Sequence, residues 1–263
     1  MDPVLLTTFG TLIVLLIFTV PIGVSIGAAV FMGMMVGGLP PVFLAQKMYS
    51  ALDSFPLLAV PFFIVAGDIM QKGTIANSLL AVSRCLVGHI KGGMAHISIL
   101  TSLFYGALSG SAAATVAAVG GIMIPAMEKE GYPPEASAGI TVASSTMGMI
   151  IPPSTPMIVY SMISGASVGA LFVAGAVPGI LIGLTQLVLV YIISAKKGWH
   201  PEKIKFDGKR AAKSLLSGIP ALIMPLFIII CVSFGVCTAS ESAGVAVLYS
   251  MLVGFFVYKE LTW

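Results

Sequence analysis

Gly148-Met149-Ile150-Ile151-Pro152-Pro153-Ser154-Thr155-Pro156 stands inside a run, Ala136 to Ala195, that contains no Asp, Glu, Lys or Arg. An uncharged run of that length belongs in a bilayer, where about 20 apolar residues make one crossing. Prolines at 152, 153 and 156 remove amide donors and clash with preceding carbonyls, so a helix entering from Ala136 must stop near Ile150 and restart near Thr155. The backbone groups released there need partners, and a desolvated cation is one that carbonyl oxygens satisfy well. Ser144, Ser145, Thr146, Ser154 and Thr155 supply further neutral oxygens close by. Helix ends and unwound backbone at membrane depth are the usual makings of ion and substrate sites in discontinuous membrane helices.

The rest of the chain agrees with a bilayer as solvent. Apolar residues make up 58% of it and charged residues 9%, and its mean hydropathy is +1.07. A second uncharged run, Val4 to Gln46, is divided by Pro21 and Gly23 into two crossings of about 17 residues each. With no basic residue ahead of it, the first reads as a span and not a signal peptide. A third crossing is expected over Phe55 to Met70. From Gly73 to Lys91, Ile75, Leu79, Val82, Leu86 and Ile90 recur at helical spacing opposite Asn77, Arg84 and Lys91, the pattern of an interfacial amphipathic helix.

Gly92 to Met127 is uncharged and turns at Ser109-Gly110-Ser111, followed by Ala112-Ala113-Ala114. It is either two crossings or one re-entrant hairpin; the lack of charged or aromatic residues at the turn favours a tip buried at membrane depth, enclosed by protein or facing a cavity. Seven of the thirteen Lys and Arg lie together at Lys196, Lys197, Lys203, Lys205, Lys209, Arg210 and Lys213, which makes that loop cytoplasmic. Crossings at Val168 to Ala195, Ser214 to Val236 and Ser242 to Tyr258 then leave every basic residue except Lys47 inside, with the N-terminus periplasmic. The fold expected is all-α, a polytopic membrane protein with a re-entrant helical hairpin and a broken transmembrane helix.

Few residues carry conventional chemistry. HExxH and a phosphate loop with its lysine are both missing. Cys85, Cys231 and Cys237 are odd in number without CxxC spacing and read as small packing residues. Asp68, one turn from Lys72, reads as half of an interfacial ion pair. Glu241 reads as a helix-start carboxylate with Thr238 or Ser240 as cap. His96 falls in the first hairpin arm, while His89 and His200 read as interfacial. Neutral oxygens at the tip and the break suit sodium better than Ca²⁺ or Mg²⁺, which recruit carboxylates.

Taken together, Pro56 to Gly67 ending Phe62-Phe63-Ile64-Val65-Ala66-Gly67, the Ser109-Gly110-Ser111-Ala112-Ala113-Ala114 tip, Pro152-Pro153-Ser154 and Thr238-Ala239-Ser240-Glu241-Ser242-Ala243 carry a resemblance. Along essentially its whole length the chain resembles the large membrane subunit of tripartite ATP-independent periplasmic (TRAP) transporters. The resemblance implies an elevator-type, sodium-driven importer of organic acids such as dicarboxylates or sialic acid, in a bacterial inner membrane. It implies two protein partners, a small membrane subunit and a periplasmic substrate-binding protein, and neither an enzyme activity nor a nucleic-acid partner. Sodium, as the coupling ion and not a cofactor, would be held by Ser109, Gly110, Ser111, Gly148, Pro152 and Ser154; Ser144, Ser145 and Thr155 would face substrate.

On that resemblance, 1–72 are N-terminal scaffold helices, 73–91 the interfacial helix and 92–195 the transport elements: hairpin 92–127, broken helix 136–163 and helix 168–195. The basic cytoplasmic loop is 196–213, and 214–263 begin a second scaffold repeat. Such a family has two inverted repeats, so a chain with one hairpin and one broken helix is expected to be one half. Two other classes remain open: an intramembrane or lipid-modifying enzyme with Ser109 or Ser111 as nucleophile and His96 as base, and a passive channel.

Overall fold

Asp2, Pro3 and Pro21 decide how the first apolar run folds. In the computed structural model, which describes residues 2–71, 73–199 and 208–259, the Asp2 carboxylate accepts from the Val4 amide at 3.0 Å and Pro3 occupies the first turn of helix α1, Pro3–Ile17. Thr19 turns the chain at a φ of 58°, and Pro21 caps α2, Ile22–Val36. The two helices pack antiparallel along Ser25, Ala29 and Gly33, all buried. A β-carbon on Gly33 would lie 2.0 Å from Thr8 Oγ1, so the Thr8 side chain of α1 fits against α2 where glycine leaves room. After Gly38 and two prolines comes α3, Val42–Leu52, where Lys47 lies over the Phe43 ring at 5.4 Å. These helices make up a compact unit of their own, Met1–Ser54.

The second unit, Phe55–Trp263, starts with a short 3₁₀ turn, Phe55–Leu58, and continues as α4, Ala59–Gln71, and α5, Gly73–Val87. The hairpin follows as α6, Gly93–Ser109, and α7, Ala112–Lys129. The broken span is α8, Pro134–Ser145, α9, Met147–Ile150, and α10, Thr155–Ser164; then come α11, Val168–Lys197, α12, Gly208–Ser233, and α13, Ala239–Leu252. A π turn, Val253–Val257, continues α13. The described residues contain no strand.

Three of these helices are long and apolar enough to cross a membrane: Val168–Lys197, Ser214–Ser233 and Ala239–Val257, with mean hydropathies of 2.2, 2.6 and 1.5. They coincide with the last three crossings expected from the sequence. α13 starts with a capping box in which Thr238 Oγ1 accepts from the Glu241 amide and the Glu241 carboxylate accepts from the Thr238 amide at 2.8 Å, as its acidic first turn implies.

α6 is the element the second unit is built around. It packs against α4, α5, α7, α8, α9 and α11, and only Leu100, Leu103 and Phe104 along it escape full burial. At 1.5 Å per residue, α6 and α7 each rise about 26 Å. Pro134 to Ile150 rises about the same distance, and α10 runs about 15 Å further. A tip that meets the break therefore stops short of the far end of the broken span.

Along α5, Leu79, Val82, Ser78 and Ser83 are buried, while Leu86 is 41% exposed. The buried face has turned toward α12, where a β-carbon on Gly218 would meet Val82 Cγ2 at 2.5 Å. Between α7 and α8, the Tyr132 ring lies 4.9 Å from that of Trp199. Burial pushes its hydroxyl up to about 12, so it stays neutral at physiological pH.

Overpacking a helix contact costs about 1–3 kcal/mol, so Gly33→Leu is expected to lower the thermal midpoint in detergent. Gly27→Leu is the control, because nothing lies within 4 Å of a β-carbon there. Equal midpoints would show that α1 and α2 do not meet through Gly33.

Candidate functional site

Glycine lets the hairpin tip and the broken helix touch. Gly110 caps α6 at a φ of 61°, left-handed backbone that side chains resist. A β-carbon on it would lie 2.6 Å from the Pro153 carbonyl oxygen. One turn lower, a β-carbon on Gly106 would lie 2.6 Å from Gly148 Cα, and from the third side one on Gly67 of α4 would lie 2.7 Å from the Leu108 carbonyl oxygen. Three backbones therefore converge on the turn.

Across this contact the Thr155 amide donates to the Gly110 carbonyl at 3.4 Å. Within the tip, Ser109 Oγ lies 3.1 Å from both the Ser111 carbonyl and Thr115 Oγ1, and Thr115 Oγ1 donates to the Ser111 carbonyl at 2.8 Å. The Ser111 hydroxyl accepts from the Ala114 amide and caps α7. At the break, Ser154 Oγ donates to the Met149 carbonyl at 2.6 Å, a hydroxyl standing in for a backbone donor that the prolines removed. Among the described residues no backbone amide donates to the Pro153 carbonyl, although it faces Gly110.

The six positions expected to hold sodium, Ser109, Gly110, Ser111, Gly148, Pro152 and Ser154, thus come together from two separate segments. All but Ser111, which is half-buried, are buried. A β-carbon on Gly148 would come within about 3.1 Å of Thr115 Oγ1 and the Ser111 carbonyl, so two oxygens look toward that glycine. The donor set is neutral hydroxyls and carbonyls, one of them without a backbone partner, and this chemistry fits a monovalent cation.

An open cavity of about 480 Å³ lies beside the tip, lined by Ile64, Asp68, Ser109 to Ala114, Met149, Thr155 and Pro156. α6 and α9 end at it with their partially negative carboxyl ends, and α7 and α10 begin at it with their partially positive amino ends. Thr155 lines the cavity. Ser144 and Ser145 lie elsewhere: both are fully buried, with Ser144 Oγ donating to Ser102 Oγ at 2.9 Å and Ser145 Oγ to the Thr141 carbonyl at 2.8 Å. The Ser144–Ser102 contact and that of Ser98 with Thr141, 3.3 Å apart, lock α8 to α6, while Ser145 bonds within α8.

Asp68 was missed as a cavity residue. It is exposed and lines the cavity; Lys72, its expected partner, lies outside the described residues. The clue available in the sequence was its place directly after Gly67, whose backbone meets the tip. Thr115 was missed too, though it falls one helical turn beyond Ser111. His96 is 13 residues from Ser109 along α6, about 20 Å, and its Nδ1 is bonded to the Gly92 carbonyl at 2.9 Å. A Ser109–His96 catalytic pair is therefore excluded by geometry.

A family model described as the DctM component of tripartite ATP-independent periplasmic transporters matches residues 9–263. An isethionate TRAP transporter permease of Oleidesulfovibrio alaskensis is 38% identical over 97% of this chain and 40% of its own length. A C4-dicarboxylate TRAP transporter large permease of Pseudomonas aeruginosa is 39% identical over 83% of this chain and 51% of its own. The sialic acid counterpart from Vibrio cholerae is 37% identical over 84% and 51%. The chain spans about half the length of the curated relatives it matches.

Gly110→Ala combines left-handed strain, about 1–2 kcal/mol, with the clash against Pro153, and is expected to lower the thermal midpoint by several degrees. Gly121→Ala, where nothing lies within 4 Å of the added carbon, should not. Matching midpoints for the two variants would mean that the tip does not seat in the break.

Proposed function

This chain belongs to the family of the DctM component of tripartite ATP-independent periplasmic transporters, and on that premise we propose that it supplies half of a sodium-coupled importer of organic anions. The observation that carries the reading is the closure of the Ser109–Ser111 tip on the Pro152–Thr155 break, which gathers neutral oxygens and four helix ends at one cavity.

In this reading Ser109, Ser111, Thr115 and Ser154 present hydroxyls, and Gly110 and Pro153 present carbonyls, toward a sodium ion; Gly148 and Pro152 shape the backbone around it. When bound, sodium supplies a positive charge that offsets those carbonyls. The amino ends of α7 and α10, with the Thr155 hydroxyl, face the anionic group of the substrate, while Ser144 braces α8 against α6. The relatives' names include isethionate, C4-dicarboxylate and sialic acid, all organic acids, which supports an anionic substrate of that class. The name "large permease" and the word tripartite support two partners, a small membrane subunit and a periplasmic substrate-binding protein. The site lies in a bacterial inner membrane with the basic loop inside and the N-terminus periplasmic.

The test is uptake by the full-length transporter reconstituted in vesicles with its partners. Replacing external sodium by potassium is expected to abolish uptake, and Ser109→Ala to raise the sodium concentration for half-maximal uptake about tenfold, roughly 1.4 kcal/mol of lost ion binding. Uptake that proceeds equally well in potassium contradicts the proposal.

A further inference from the structure

Cys231 and Cys237, expected to be separate packing residues, are brought together where α12 stops. The stop is a Schellman turn: the Val236 amide donates to the Cys231 carbonyl at 2.9 Å and the Gly235 amide to the Val232 carbonyl at 3.3 Å, with Gly235 at a φ of 69°. One residue further on, the Cys237 amide also donates to the Cys231 carbonyl, at 3.3 Å. A disulfide needs α-carbons roughly 4.4–6.8 Å apart, and residues joined by a direct backbone hydrogen bond stand at a spacing of that order. Cys231 is buried and Cys237 half-buried, and Cys237 lines an open cavity of about 400 Å³ with Thr238 and Glu241, which gives a reagent a way in.

We infer that Cys231 and Cys237 form a disulfide that staples the end of α12 to the start of α13 in the oxidising space outside the membrane. The Cys237 thiolate attacks the disulfide of a thiol–disulfide oxidant, giving a mixed disulfide. Cys231 then loses its proton and attacks the Cys237 sulfur. The oxidant leaves as a dithiol, having taken the two electrons and two protons. The closed ring holds Cys237 beside the Thr238 cap, and so fixes the first turn of α13, where the Ser240 hydroxyl donates to the Phe55 carbonyl at 2.5 Å. Cys85, on α5, has no such neighbour in the turn and serves as the internal control. The side on which the turn sits rests on the cytoplasmic basic loop proposed above.

The experiment uses the full-length protein in intact cells, quenched in acid, unfolded and alkylated before and after reduction, with peptides identified by mass. Cys85 is expected to be alkylated at once, and Cys231 and Cys237 only after reduction. Immediate alkylation of all three overturns the oxidised state of the pair in cells. In a second arm, purified reduced protein is treated with dithiodipyridine: loss of both thiols with no retained adduct is expected, and Cys237→Ser should instead keep Cys231 reducible only as an adduct. A stable adduct on Cys237 of the unsubstituted protein overturns the pairing itself. Cross-linking in this arm with reduced thiols in cells overturns only the outside location, and separates a wrong topology from a wrong pair.

Discussion

A backbone N–H or C=O held inside a bilayer has no water to bind, and each one left unpaired costs several kcal/mol. The two interruptions in this chain, the hairpin turn and the proline break, are closed partly by their own hydroxyls and partly by each other. The Thr155 amide bonds to the Gly110 carbonyl, Ser154 replaces a missing donor to Met149, and Ser109 and Thr115 tie the Ser111 carbonyl into the tip. Take away either interruption and the other has exposed polar backbone at membrane depth.

That mutual closure requires close approach, which explains the placement of glycine. Gly67, Gly106, Gly110 and Gly148 each occupy a point where a single β-carbon would strike backbone. Close approach also concentrates charge without ionised groups, because two helix carboxyl ends and two amino ends meet at one cavity. A site made this way offers partial charges of both signs within a few ångströms, suited to a cation and an anion together. Asp68 adds one full carboxylate at the cavity rim, and α4, which carries it, is held by its contact with α13.

Much of this was legible in the sequence, because the bilayer imposes strong local rules. Proline at 152 and 153 fixes where a helix must stop, Pro21 divides the first run, and Thr238 with Glu241 writes a capping box. What the sequence did not disclose depends on which helix faces reach each other. Ser144 had the right chemistry for a site but bonds across the seam to Ser102 of α6, Ser145 bonds within α8, and Asp68 looked like half of a surface pair but also lines the cavity. The spacing of Leu79 and Val82 marked a helix face but not that Ser78 and Ser83 would be buried with it. The Cys231 and Cys237 pairing was hidden because a Schellman turn brings together residues six apart, a spacing no cysteine motif announces.

The most direct test of the account is the accessibility of a cysteine placed at position 109 in the full-length protein, with its native cysteines removed. Labelling by a membrane-impermeant maleimide is followed with and without sodium. The account predicts that sodium slows labelling at 109 and leaves a control cysteine at 205, in the basic loop, unchanged. Rapid labelling at 109 from outside, indifferent to sodium, would make the tip an ordinary surface turn and contradict the claim that it and the broken helix form one ion-linked element.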